Sequence, residues 1–149
     1  MRDRLGKVAI VKAMSTAPVE DARATTVRVM AAGAGWRVID VVCRSGPGDA
    51  VFEEAHEWVS ASAVVAGTFA YRSTHGRTLM TPGSVLLGNC GACFCCSHEH
   101  GAGDRCVAFH FEPAMIEAVA FDLRAVRRTE FTSHRLRPHR TLAQEYYRE

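Results

Sequence analysis

The chain has 149 residues and a mass of 16.3 kDa, which is enough for one domain with a buried core. Hydrophobic residues make up 48% and charged residues 23%, a globular composition that excludes an intrinsically disordered chain. The formal net charge of +2 is too small to indicate a nucleic-acid-binding protein by itself.

The longest apolar stretch runs from Trp58 to Tyr71 and contains three hydroxyl residues, so it is too short and too polar to cross a bilayer. The N-terminal segment has basic residues but no uninterrupted apolar stretch and no small-residue cleavage site. We therefore expect no membrane partner and a cytoplasmic location.

The first 35 residues are mixed in character and predict a flexible or partly ordered lead-in. From Trp36 onward, short β-rich runs alternate with turn signals at 8–12-residue intervals. These runs cover 36–44, two stretches within 56–73 separated near Gly67, and the segments 78–80, 85–89 and 105–111. Many short strands without intervening helices predict an all-β fold, namely an antiparallel β-barrel or jelly roll.

At Glu112 the period changes, because Met115, Ile116 and Val119 recur at helical spacing and Pro113 suits a first helical turn. The barrel with this first helix is expected to span 36–121. A basic extension, 122–149, follows and contains a second predicted helix at 137–149.

Residues 124–149 hold seven arginines against three glutamates. A basic tail of this kind is typical of a nucleic-acid contact or of a solvated surface. No aromatic interleaving and no groove-reading motif accompanies the charge. A solvated surface, without direct DNA binding, is the prediction.

Five of the six cysteines lie within 17 residues, and in the cytoplasm they are expected to stay reduced. If this segment is extended, the alternate residues Cys96, His98 and His100 share one strand face. A thiolate with two imidazoles is a ligand set for zinc or another borderline metal.

A hairpin across residues 101–104 would decide whether a fourth ligand joins. A three-residue loop places His98 opposite Cys106, whereas a four-residue loop places it opposite Val107. The candidate metal set is therefore Cys96, His98, His100 and Cys106, with zinc as the candidate cofactor. Two alternatives stay open: a structural zinc site that begins with the Cys90–Cys93 pair, and cysteines that pack as small hydrophobic residues without a metal.

A second cluster contains Glu53, Glu54, His56 and Glu57. Carboxylates beside a histidine suit a metal site or an acid–base pair, and a solvated acidic loop with an incidental histidine is the alternative. His110 is expected to face the barrel interior, and two further histidines, 134 and 139, belong to the basic tail. The sequence contains no nucleophile elbow, phosphate loop or dinucleotide fingerprint, so no catalytic residue is assigned.

Three segments together resemble the N-terminal cupin-type sensor domain of AraC-family transcription regulators. They are SGPGDAVFEEAH (45–56), VVAGTFAYRSTHGRTLMTPGSVLLGN (64–89) and CSHEHGAGDRCVAFHF (96–111). The resemblance covers about 36–143. It implies a small cupin-like β-barrel with one or two short C-terminal helices that senses a small-molecule effector, forms a homodimer and is not catalytic.

Regulators of that family continue into a DNA-binding domain with two helix-turn-helix units. The 37 residues after Glu112 show no such pair, so we expect no DNA binding by this chain and an end near the interdomain linker.

Metal-binding cupin enzymes use three histidines and a glutamate on two barrel motifs. Here the first motif region offers Glu53, Glu54 and His56, and the second has no histidine before Asn89. The usual enzymatic metal site is therefore not expected. Two other functions stay open: a metal- or redox-responsive sensor that uses the Cys/His segment, and a metal-dependent cupin enzyme of the dioxygenase or isomerase type.

Overall fold

The computed structural model describes residues 19–20, 25–124 and 126–138. Within these residues, the chain forms eleven strands in two antiparallel sheets and one helix. The elements are, in chain order, β1 (Val19–Glu20), β2 (Thr25–Gly33), β3 (Trp36–Cys43), β4 (Glu53–Ala55), β5 (Val59–Gly67), β6 (Phe69–Ser73), β7 (Gly76–Met80), β8 (Val85–Gly88), β9 (Cys93–Ser97), β10 (Asp104–Phe111), α1 (Pro113–Asp122) and β11 (Arg135–Leu136).

The larger sheet has seven strands in the order β1-β2-β3-β10-β5-β8-β11, and the smaller has four in the order β4-β9-β6-β7. Both sheets contribute to one core, whose fully buried side chains include Val64 from the larger sheet and Tyr71 and Met80 from the smaller. This arrangement is a jelly roll, which confirms the predicted antiparallel all-β fold.

Alternation along the strands explains why the core forms. In β6, Phe69 and Tyr71 are buried and join the core cluster, Ala70 between them is also buried, and Arg72 is exposed. In β10, Cys106 and Ala108 are buried, while Phe109 between Ala108 and His110 is exposed. Because successive side chains of a strand point to opposite faces, β10 presents its buried row of Cys106 and Ala108 to the core.

The larger sheet begins before Trp36. Strand β2 pairs with β3 along its length, with a bulge between Val29 and Ala31. Val27 lies opposite Val41, and Val29 lies opposite Ile39. Part of the segment expected as a lead-in therefore belongs to the sheet. Its alternation is weak in sequence because the bulge interrupts the period of two.

Helix α1 starts at Pro113, as predicted, and none of its residues is buried. The second predicted helix is only partly covered by the described residues. Positions 137 and 138 are not helical, and 139–149 lies outside the described part of the chain. No helix among the described residues is long and apolar enough to span a membrane.

The segment after α1 returns to the barrel. Strand β11 pairs with β8, and the amide side chain of Asn89 exchanges two hydrogen bonds with the backbone of Phe131, at 3.0 and 2.8 Å. His134 is buried, with Nδ1 2.6 Å from the hydroxyl of Ser73 and Nε2 3.2 Å from that of Thr78. The expectation that His134 belongs to a solvated tail is wrong, because the pairing of β11 with the larger sheet holds this residue where its side chain reaches β6 and β7 of the smaller sheet.

Candidate functional site

Residues 98–103 cross from one sheet to the other. Strand β9 pairs with β4 and β6 in the smaller sheet, whereas β10 pairs with β3 and β5 in the larger. The expected hairpin between these strands is therefore wrong. The turn residues around 101–104 instead connect the two sheets. Such a connection has the same local composition as a hairpin loop, so the sequence cannot distinguish the two.

The crossover brings together three side chains that can donate to a metal. Cys43 at the end of β3 is the register partner of Asp104 at the start of β10, and His98 follows the last residue of β9. One donor atom from each of the three residues lies within 4.8 Å of the other two. This trio, Cys43–His98–Asp104, is called the Cys/His/Asp cluster below.

A short hydrogen bond lies at the centre of the cluster. His98 Nε2 is 2.6 Å from Asp104 Oδ2, and the two side chains are only 3% and 9% exposed. Burial raises the pKa of Asp104, while the hydrogen bond from His98 opposes this shift. The imidazole therefore stabilises a carboxylate that would otherwise be costly to keep charged away from water.

Two further thiols surround the cluster. Cys106 Sγ donates to Asp104 Oδ1 at 3.6 Å, and Cys96 lies in β9 opposite Tyr71. Burial, with the charge of Asp104 second, raises the pKa of both thiols above the ordinary value. Cys96 and Cys106 are therefore neutral thiols at neutral pH.

The structure distributes the four predicted ligands differently. His98 lies in the cluster, Cys96 and Cys106 lie beside it, and His100 is exposed and lines a separate surface cleft with Arg77. His100 does not join the cluster because β9 ends at Ser97. The alternation of side chains between the two strand faces therefore does not extend to residue 100.

Sequence reasoning missed Cys43 and Asp104. Cys43 lies 55 residues before His98 and meets it only through the pairing of β3 with β10. The sequence around Asp104 predicts a turn, and neither Asp104 nor its neighbour Arg105 belongs to a metal-ligand pattern there. No local pattern marks either residue as a ligand.

A small cavity of about 70 Å³ opens onto the cluster. Cys43, Cys96 and His98 line it, together with Glu54 and the loop after β3. The lining residues from that loop are Ser45, Gly46, Asp49, Ala50, Val51 and Phe52. A small molecule or ion can therefore reach the cluster from this side.

The second predicted cluster does not form a metal site. Glu53 and Glu57 are exposed, whereas His56 stacks on Phe94 at 4.2 Å between ring centroids and has Nε2 2.9 Å from the Tyr71 hydroxyl. Burial lowers the pKa of His56 to about 4. Neither the metal site nor the solvated loop describes this residue, which is a neutral, hydrogen-bonded side chain of the barrel.

His110 is a further half-buried histidine, as expected for the inward face of β10. It accepts a hydrogen bond from Arg37 Nε at 3.1 Å, and its ring lies parallel to that of Trp58. Burial, and secondarily the charge of Arg37, lowers its pKa to about 4.

In the part of the chain that the structure describes, the Cys/His/Asp cluster is the one group of three or more side chains placed to hold a metal.

No protein-family model matches the sequence, and no curated protein gives a significant match. Solved structures do match. KdgF from Halomonas sp. is 14% identical with a TM-score of 0.53, over 65% of this chain and 89% of that one. The Cnp3 cupin domain of Schizosaccharomyces pombe is 9% identical with a TM-score of 0.55, over 70% and 74% of the two chains.

Hydroxypropylphosphonic acid epoxidase from S. wedmorenis matches with a TM-score of 0.57 at 9% identity. The match covers 64% of this chain and 55% of the epoxidase, so it spans about half of that enzyme. Identities this low concern the fold and leave the activity open. Together with the two antiparallel sheets, they place the chain among proteins of the cupin jelly-roll fold.

Proposed function

We propose that this chain is a non-catalytic sensor domain of the AraC type, which takes up a small effector at the Cys/His/Asp end of its barrel and forms a homodimer. The observation that carries the proposal is the cavity that opens onto Cys43, Cys96 and His98. The sequence resemblance supplies the regulator family, and the cupin fold of the matching structures is compatible with it.

The middle of the barrel favours binding over catalysis. Val64, Tyr71 and Met80 fill it and are at most 1% exposed, so a substrate has no room between the sheets there. His56, the histidine nearest to the usual enzymatic motif, is engaged with the Tyr71 hydroxyl. The cavity at the Cys/His/Asp cluster, beside the loop after β3, holds about 70 Å³, which is enough for an ion with a very small ligand.

The surface of α1 and the residues after it supports self-association. Phe121 is 89% exposed, and Val119, Leu123 and Val126 are also exposed. Exposed apolar side chains grouped in this way typically mark a protein contact. A second copy of this chain is the occupant that the AraC resemblance implies.

Sedimentation velocity over a concentration series tests the dimer. We expect wild type to dimerise and Phe121→Glu to weaken the dimer by at least about tenfold, since a buried unpaired charge is costly at an interface. Leu79→Glu is the matched control, because Leu79 is an equally apolar, exposed residue on β7. A monomeric wild type would contradict the dimer, and equal weakening by both variants would contradict an interface at α1.

Native mass spectrometry with a pooled small-molecule library tests the effector site. A compound retained by wild type and His100→Ala but not by His98→Ala would support the proposal, because only His98 lines the cavity. If wild type retains no compound, the proposed effector site is wrong. If wild type retains duplex DNA, the expectation that this chain does not bind DNA is wrong.

A further inference from the structure

We propose that Cys43, His98 and Asp104 bind one divalent metal ion of the zinc class, with a fourth coordination position open to the cavity. The inference deepens the proposed function and rests on it for the role of the metal, since an effector in the cavity would meet the ion. The existence of the site rests on the three side chains alone.

The spacing of the three donors suits a tetrahedral ion. Zinc bonds of about 2.0–2.3 Å place neighbouring ligand atoms about 3.3–3.6 Å apart. The donors of Cys43, His98 and Asp104 already lie within 4.8 Å of one another, so small side-chain rotations suffice. The paired backbones of β3 and β10 fix Cys43 and Asp104, and the crossover fixes His98.

The charges of the three ligands also suit a divalent ion. A Cys43 thiolate, an Asp104 carboxylate and a neutral His98 together carry two negative charges, which one divalent cation balances. A neutral metal centre avoids the free-energy cost of an unbalanced charge at a buried position. On binding, the Cys43 thiol proton leaves to solvent, the neutral His98 ring carries its proton on Nδ1 while Nε2 faces the ion, and three metal–ligand bonds form.

The donor types select the metal class. Sulfur, imidazole nitrogen and carboxylate oxygen together suit zinc and similar borderline ions, whereas magnesium and calcium prefer oxygen alone. Cys106 lies behind the site and holds the second carboxylate oxygen of Asp104 at 3.6 Å, so it is a positioning residue.

The open side of the site faces the cavity. Cys43 and His98 line the cavity, so an ion bound between them has one face towards solvent. Three protein ligands with an exchangeable fourth position differ from a closed structural site of four ligands. A small ligand with a nitrogen, oxygen or sulfur donor can complete the coordination.

Metal titration of the full chain after chelator treatment tests the site. Cobalt(II) reports thiolate ligation through a sulfur-to-metal charge-transfer band, and zinc competition against a chromophoric chelator reports affinity. We expect one ion per chain and a charge-transfer band in wild type. Cys43→Ser should abolish the band, and Asp104→Asn should weaken zinc binding by at least about 100-fold, because loss of an outer partner alone costs about 10–100-fold.

Two variants are matched controls. His100→Ala removes the exposed histidine two residues from His98, and Cys95→Ser removes a buried thiol that instead contacts Arg72 at 3.6 Å. Both should bind metal as wild type does. Circular dichroism checks that each variant folds, and Asp104→Asn tests the site independently if Cys43→Ser does not fold.

The proposal is overturned if wild type binds no metal, if Cys43→Ser keeps the charge-transfer band, or if His100→Ala loses the metal. The last result would favour the ligand set predicted from the sequence. Since dimer formation is measured separately with Phe121→Glu, failure of the metal site and failure of the sensor proposal remain distinguishable.

Discussion

The His56 ring lies directly against Gly88, and its Nε2 atom lies 2.9 Å from the hydroxyl of Tyr71. A Cβ atom at position 88 would overlap this ring. Gly88, at the end of β8, therefore leaves space for the His56 ring. The acidic residues around His56 in the sequence instead suggest a solvated loop. His56, which follows β4, thus contacts Tyr71 in β6 of the smaller sheet and Gly88 in β8 of the larger.

Gly88→Ala should lower the free energy of unfolding by about 1–3 kcal/mol, because the added methyl group forces the His56 ring to move. Urea unfolding measures the effect. The cost should shrink in a His56→Ala background, where the ring is absent. Gly46→Ala is the control, since a Cβ there makes only an ordinary contact with Ala102. An undiminished cost in the His56→Ala background would argue against ring overlap as the cause.

Acid should destabilise the fold through His56 and His110. Burial lowers both pKa values from 6.5 to about 4, so the folded state favours the neutral rings. Between these values the unfolded chain binds more protons, and stability therefore falls as the pH decreases from about 7 to 4. Asp104, whose pKa is raised, acts in the opposite direction above its unfolded value.

Urea unfolding at a series of pH values measures this dependence. His110→Gln should make the profile between pH 6.5 and 4 less steep than that of wild type. A flat wild-type profile in this window would contradict the neutral, buried state of the two rings.

Asp40→Asn should lower the free energy of unfolding by about 1–3 kcal/mol, since Asp40 accepts hydrogen bonds from Arg28 and Arg105 and is 7% exposed. The Arg105 hydrogen bond lowers the pKa of Asp40, so this stabilisation is present above pH 4 and is lost as the pH falls below it. Glu99→Gln breaks an exposed pair with Arg77 and should change stability by less than about 0.5 kcal/mol. Equal losses in both variants would contradict the argument from burial.

Asn89→Ala should release the segment that carries β11, because it removes both hydrogen bonds to the backbone of Phe131. The backbone amide of Leu87, which donates to the carbonyl of His134, should then exchange its proton faster by about tenfold or more. Ser133→Ala is the control, because the Ser133 hydroxyl exchanges local hydrogen bonds with the backbone of Arg135. Unchanged exchange at Leu87 would show that β11 is held by other contacts.

The sequence by itself determined most of the central strands and the first helix of this protein. The alternation of Cys106 and Ala108, the bend near Gly67 and the start of α1 at Pro113 are local signals, because side-chain period and backbone conformation depend on neighbouring residues. These signals were sufficient to predict an antiparallel jelly roll with an appended helix.

Only the tertiary structure decided the site. Whether β9 pairs with β10 depends on which sheet each strand joins, and that choice is set by packing across the whole barrel. The same choice places Cys43 and Asp104 beside His98 and leaves His100 at the surface. Cys43 is 55 positions from His98, so their contact leaves no local pattern, and Asp104 meets His98 only because the chain between them crosses from one sheet to the other.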